Sequence, residues 1–188
     1  MTLLAVDIRP AEKCDARAIA DVHAAAWKNA YAGIIPHKTL ASMVARRSEN
    51  WWGNALGSSN AILVAEVAGE IAGYATLGRN RTRQLAQQGE IYELYLMPQD
   101  QGLGFGGRLF AAARARIADF GLKGIVVWAL EDNDKALGFY EALGGVDRDQ
   151  LDVQPVVQAG AHLLGFALAQ QPGIDEDRHQ LLADGAPH

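Results

Sequence analysis

Apolar residues recur at intervals of three and four from Ala16 to about Tyr31, where Ile19, Val22, Ala26, Trp27 and Ala30 share a side with His23. That period predicts an amphipathic helix, with Asp15 placed to cap its start and Gly33 to end it ahead of Pro36. A second helical pattern runs from Thr39 to Trp52, with Leu40, Met43, Val44 and Arg47 on one side. Gly53 to Asn60 reads as a loop. Leu3 to Arg9 reads as a short strand. Ala61 to Val67 and Glu70 to Gly78 read as a hairpin around an Ala68-Gly69 turn. The polar, basic stretch Arg79 to Gly89 is an exposed connection, and Glu90 to Met97 is a strand rich in Ile, Tyr and Leu. Gly102 to Gly107 is a glycine-rich loop, Arg108 to Phe120 a helix stopped by Gly121, and Gly124 to Leu130 the next strand. Asn133 or Asp134 caps a helix that ends at Gly144-Gly145. Ala161 to Leu168 is a last strand, with a further one near Val146 to Val153.

The order is strand, two helices, three strands, helix, strand, helix, strands. The three middle strands follow one another as a meander, and only the later strand-helix-strand unit demands a parallel pair. The expectation is one α/β domain with a mixed sheet over residues 1–169. Gln170 to His188 has few large apolar residues and several charges, the composition of a poorly ordered tail.

Composition narrows the function classes. The 188 residues suit one domain with a sizeable core. The net charge of -5 leaves no broad cationic field for nucleic acid or an anionic membrane, and it mildly favours a cationic acceptor such as an amine. The single cysteine, Cys14, allows no intrachain disulfide and fits a reducing cytoplasm. Met1 to Pro10 is too short and mixed for a signal peptide, and no apolar run reaches the roughly 20 residues of a membrane helix. The five histidines are scattered, without the spacing of a metal site.

The candidate chemistry lies in Glu90 to Gly107, where a strand runs into glycines and a helix starts at once. The free N–H groups of a helix's first turn, with the dipole behind them, attract phosphate, and glycine lets the backbone come close. A tight turn that simply needs glycine is the plainer alternative. Gly102, Gly104 and Gly107 also spell the dinucleotide fingerprint, with Glu131 roughly twenty residues on. Against that reading, Pro98 to Gln101 intervene after the strand, a hairpin precedes it, and too few strand-helix repeats follow for a doubly wound sheet.

Gln101-Gly-Leu-Gly-Phe-Gly106 resembles the Q/R-x-x-G-x-G/A loop of the GCN5-related N-acetyltransferases, and Leu94-Tyr-Leu-Met-Pro98 is similar to the strand that leads into it. Asn133 with Phe139-Tyr-Glu-Ala-Leu-Gly-Gly145 resembles the family's second signature, departing from it at Gly145, where an aromatic residue is usual. Trp27 to Pro36 resembles the acceptor-side helix and turn of many members. The resemblance covers nearly all of Leu3 to Leu168.

The resemblance implies a single-domain fold with a mixed, mostly antiparallel sheet, a splayed parallel strand pair and flanking helices. It implies acetyl-CoA as acetyl donor and direct transfer to a primary amine. The backbones of Leu94 and Leu96 would pair with the pantetheine arm. The pyrophosphate would rest on N–H groups of Gln101, Gly102, Leu103, Gly104, Phe105, Gly106 and Gly107, with Arg108 either adding charge or solvated. Tyr140 would protonate the leaving thiolate, and the Leu96 N–H would stabilise the oxyanion. Glu93, on the strand face opposite Leu94 and Leu96, would remove the amine proton through water, with Glu90 as a second candidate. Either glutamate is otherwise a solvated strand-face charge. Asn133 would bond the cofactor arm or only cap its helix. Trp27, Tyr31 and Ile34, with His23, would line the acceptor pocket, unless they are ordinary packing residues. Nothing beside Cys14 suggests an activated nucleophile.

The acceptor is left open among a small amine, an amino acid derivative, an antibiotic amine and a peptide or protein amine. Family members are often dimers, and the apolar strand Leu163 to Leu168 is a candidate surface for a homodimer. Two competing functions remain: a non-catalytic acyl-CoA-binding or sensing domain, and a dinucleotide-binding enzyme.

Overall fold

Strand patterning carries straight into the sheet. β1 (Val6–Pro10), β2 (Ile62–Val67), β3 (Glu70–Arg79), β4 (Gly89–Leu96), β5 (Ile125–Leu130) and β6 (Ala161–Leu164) lie side by side in chain order. Neighbours are antiparallel except β4 and β5, which are parallel. This computed structural model describes residues 5–57, 61–82, 85–130, 132–145 and 161–164. The strand expected near Val146 to Val153, the tail from Gln170 and residues 165–168 of the expected dimer strand lie outside them, as does Glu131.

The helices are α1 (Ala16–Tyr31), α2 (His37–Arg46), α3 (Glu49–Leu56), α4 (Phe105–Asp119) and α5 (Asp134–Ala142). Because side chains alternate along a strand, each face of the sheet buries its own set. Leu63 and Ala65 of β2, with Ala75 and Leu77 of β3, pack on Leu109, Phe110, Ala113 and Ile117 of α4. Ile62, Val64 and Tyr74 pack on Ile19 and Val22 of α1 and Trp52 of α3.

Three local expectations are corrected. The helix expected over Thr39 to Trp52 is two helices, because Ser48 takes extended geometry and its Oγ accepts from the Trp51 N–H at 3.4 Å. A serine that can cap a new helix competes with continuation of the old one. α4 begins at Phe105 rather than Arg108, so Gly106 and Gly107 belong to its first turn. Asp15 occupies the position before α1 but makes no side-chain cap. Its carboxylate instead accepts from the Glu12 N–H at 2.7 Å and from both terminal nitrogens of Arg9 at 2.8 and 3.0 Å.

Two irregularities in β4 position the site. Thr76 faces Glu93 while Leu77 faces Ile91, so Tyr92 is an extra residue, a bulge that resets the alternation. Ile91, Leu94 and Leu96 consequently turn toward α4, whereas Tyr95 packs toward α1 and α3. The second irregularity is at the parallel edge. β4 and β5 pair only at Gly89 with Ile125 and Glu90 with Val126, after which they part.

Candidate active site

The parting of β4 from β5 leaves peptide groups facing a gap. The Met97 N–H donates to Ala72 O at 2.8 Å, which makes Leu96 with Gly73, and Leu94 with Ala75, the non-hydrogen-bonded pairs of the β3–β4 ladder. The N–H and C=O groups of Leu94 and Leu96 therefore point away from β3, to the side β5 has left. Buried peptide groups require partners. One is found within the chain: the Leu96 carbonyl accepts from Gln101 Nε2 at 3.4 Å. The others face the gap, where an extended ligand bearing amides could meet them.

Beyond Leu96 the chain makes one 3-10 turn at Pro98–Asp100 and reaches α4 through two left-handed glycines, Gly102 with φ 76° and Gly104 with φ 84°. Gly104 is the residue before α4, so the N–H groups of Phe105, Gly106 and Gly107 open the helix without intrahelical partners. Gly106 fits where α4 crosses β4, since a methyl there would lie 3.1 Å from Phe139 and 3.4 Å from Leu96. Leu103 is exposed on the loop. Arg108 is not merely solvated: its Nη2 donates to the Val6 carbonyl at 3.0 Å.

Tyr140 of α5 is buried between Phe110 and Phe139, with ring centroids at 5.9 and 4.9 Å. Its hydroxyl has no hydrogen-bond partner among the described residues, and burial, aided by Tyr31, pushes its pKa above the usual phenol value. Asn133 caps α5, its Oδ1 accepting from the Ala136 N–H at 3.2 Å.

Glu93 lies on the other face, in a ring-lined enclosure. Its Oε2 accepts from the Tyr74 hydroxyl at 2.8 Å, and its Oε1 has no partner among the described residues. Burial raises its pKa above the carboxylate range, opposed by Arg47, Tyr74 and Arg81. Tyr74 also meets His23 Nδ1 at 2.9 Å. Trp27 stacks beside His23 and Tyr31 with centroids at 4.8 and 5.1 Å, and Tyr31 and Tyr95 share a hydroxyl contact of 2.8 Å. Ile34, half-buried in the turn after α1, donates its N–H to Tyr31 O at 3.1 Å. Glu90 differs sharply from Glu93. Both its oxygens are taken by Arg81, from the backbone at 2.7 Å and the guanidinium at 3.0 Å.

The structure thus links Trp27 to Glu93 through His23 and Tyr74, with Tyr31 beside Trp27 and Tyr95, and sets Leu94, Leu96 and the glycine loop along the gap. Sequence reasoning missed Tyr74, and it had read Arg47 and Tyr95 only as parts of elements. Tyr74 precedes Glu93 by 19 positions, and no spacing rule joins them until the bulged register is known. Among the described residues no helix is long and apolar enough to cross a membrane, and no cluster of His, Cys, Asp and Glu could hold a metal.

The model of the acetyltransferase (GNAT) family matches residues 23–145. An uncharacterized N-acetyltransferase, YuaI of Bacillus subtilis, is 32% identical over 138 residues, which cover 73% of this chain and 78% of that one. A mycothiol acetyltransferase of Paenarthrobacter aurescens is 29% identical over 131 residues, covering 66% of this chain but only 39% of that longer protein. Among solved structures, the PaiA N-acetyltransferase of Thermoplasma acidophilum in complex with coenzyme A superposes with a TM-score of 0.73 at 20% identity, covering 86% of this chain and 98% of that one.

Proposed function

The chain belongs to the acetyltransferase (GNAT) family and is an acetyl-CoA-dependent N-acetyltransferase, and from that premise we propose how its residues divide the reaction and which acceptor they admit. The acceptor is a small-molecule primary amine that enters on the α1 side, along Trp27, Tyr31 and Ile34. Glu93 takes the proton that the ammonium must lose before its nitrogen can attack, directly or through one water. The observation that carries this reading is the unpartnered Oε1 of a buried carboxylate on the same strand whose peptide groups face the gap.

The donor's amides fit the N–H and C=O groups of Leu94, which leaves the Leu96 N–H for the acetyl oxygen. Its diphosphate fits the glycine-rich approach from Gln101 through Gly102, Leu103 and Gly104 to the N–H groups of Phe105, Gly106 and Gly107. As the amine nitrogen bonds to the acetyl carbon, the Leu96 N–H donates to the oxygen that gains charge. As the carbon–sulfur bond breaks, Tyr140 gives its proton to the sulfur, and the second proton of the attacking nitrogen, shed as the amide forms, returns to the Tyr140 phenolate. A raised phenol pKa keeps Tyr140 protonated until then. Asn133 caps α5 and so holds the helix that bears Tyr140. The exposed thiol of Cys14 suits a reducing, cytoplasmic setting.

Calorimetric titration with acetyl-CoA, with NADH in parallel, tests the donor site. Thiol release in the presence of a panel of primary amines then tests the acceptor. Binding of NADH alone would discard the acyl-transfer reading of the glycine loop. Binding of acetyl-CoA without turnover on any amine would favour a sensing domain.

A further inference from the structure

Tyr74 has one hydroxyl proton and two close polar neighbours. It gives that proton to Glu93 Oε2, so its 2.9 Å contact with His23 must run the other way, with Nδ1–H donating to the phenol oxygen. His23 is therefore the Nδ1–H tautomer, and its Nε2 lone pair has no partner among the described residues. All three side chains are buried. His23 donates to Tyr74 and Tyr74 to Glu93, so the relay ends on one carboxylate oxygen, Oε2.

Resting on the reading of Glu93 as the base, we infer that Tyr74 and His23 are its positioning residues: Tyr74, held in direction by His23, occupies Oε2 and leaves Oε1 as the free acceptor of the amine proton. A carboxylate with two free oxygens in an apolar enclosure can rotate and be protonated on either one. A donor fixed on Oε2 selects the rotamer and stabilises the charged form. The other groups that face or act on Glu93 are Tyr31 from α1, Arg47 at the end of α2, Tyr95 from β4 itself and Arg81 from the β3–β4 connection. Burial, with a smaller push from Arg47, drives the His23 pKa down to about 3, so His23 stays neutral and keeps its direction across the working range. A neutral histidine can hold Tyr74 without adding a charge that would compete with the incoming ammonium.

The test is a titration of Glu93 itself. In protein labelled with 13C at the glutamate carboxyls, the signal missing from Glu93→Gln reports Glu93. Tyr74→Phe removes only the donor oxygen, and the midpoint should rise by about one pH unit, the size expected of one lost hydrogen bond to a charged group. His23→Leu should raise it by less, and His23→Asn, whose amide N–H sits near the place of Nδ1–H, should restore the parent value. An unmoved midpoint in both Tyr74→Phe and His23→Leu overturns the positioning role. The acid limb of kcat/KM for acetyl transfer to ethylamine separates the two claims. If Glu93→Gln keeps the parent's limb, Glu93 is not the base and the inference falls with it. If Glu93→Gln loses the limb but Tyr74→Phe leaves it in place, the base stands and the positioning role alone falls. Unchanged acetyl-CoA affinity in each variant shows that the donor site is intact.

Discussion

Gly73 and Leu96 face each other across β3 and β4 with no room for a methyl group between them. A Cβ on Gly73 would press on the Leu96 side chain and lie 2.7 Å from the Tyr95 carbonyl oxygen, which is backbone and cannot swing aside. Gly73→Ala should therefore displace the end of β4, costing about 1–3 kcal/mol in urea unfolding. Because the Leu96 N–H moves with it, kcat should fall more than the affinity for acetyl-CoA. A variant with parent stability and turnover would show that β4 can yield there without consequence.

Glu93→Gln keeps the volume and an acceptor for Tyr74 but cannot take a proton. Turnover should drop by about 10²–10⁴-fold, the usual worth of a positioned base. Since burial raises the Glu93 pKa, the parent's activity should fall off with acid above the ordinary carboxylate range, and this limb should be absent from the variant. Steady-state rates from pH 5 to pH 9 measure both.

Tyr140→Phe removes an oxygen that makes no hydrogen bond among the described residues, so folding should suffer little. Turnover should fall at every pH while the calorimetric affinity for acetyl-CoA stays near the parent's. Equal activity of the two proteins would take Tyr140 out of the proton transfer.

Gly104 has φ 84° and open space where a side chain would stand. Gly104→Ala pays about 1–2 kcal/mol of backbone strain alone, whereas Gly104→Glu adds a negative charge at the helix N-terminus. Both variants should weaken acetyl-CoA binding, and the glutamate should weaken it much further. Equal affinities would mean that the diphosphate is held elsewhere.

His23 makes stability depend on pH in a known direction. Its folded pKa of about 3 lies below the ordinary 6.5, so the unfolded chain binds the proton more readily, and stability present above pH 6.5 is lost as acid is added. Between pH 6.5 and 4.5 the loss is about 2–3 kcal/mol at roughly 1.4 kcal/mol per unit. His23→Asn lacks this proton uptake. The stability gap between parent and variant in urea should therefore shift by that amount in the variant's favour between pH 7.5 and pH 4.5. A constant gap would mean that His23 is solvated in the fold.

Much of the strand–glycine–helix unit was legible in the sequence because its determinants are local. A strand, left-handed glycines and a helix start follow one another within Glu90 to Gly107, so neighbours in the chain are neighbours in space. Where local signals competed, reading failed: Ser48 split one expected helix, and Phe105 rather than Arg108 opened α4. The acceptor side is different in kind. His23, Arg47, Tyr74 and Glu93 come from four separate segments, and their meeting depends on the register of β3 against β4 and on the extra residue Tyr92. A shift of one residue in that register would turn side chains to the opposite face. The same registration distinguishes Glu93, with one oxygen free, from Glu90, with both oxygens held by Arg81. The sequence by itself determined the strand–glycine–helix unit, because bonded neighbours make it. Only the tertiary structure decided which carboxylate is available for chemistry, because that depends on side chains brought together across the sheet.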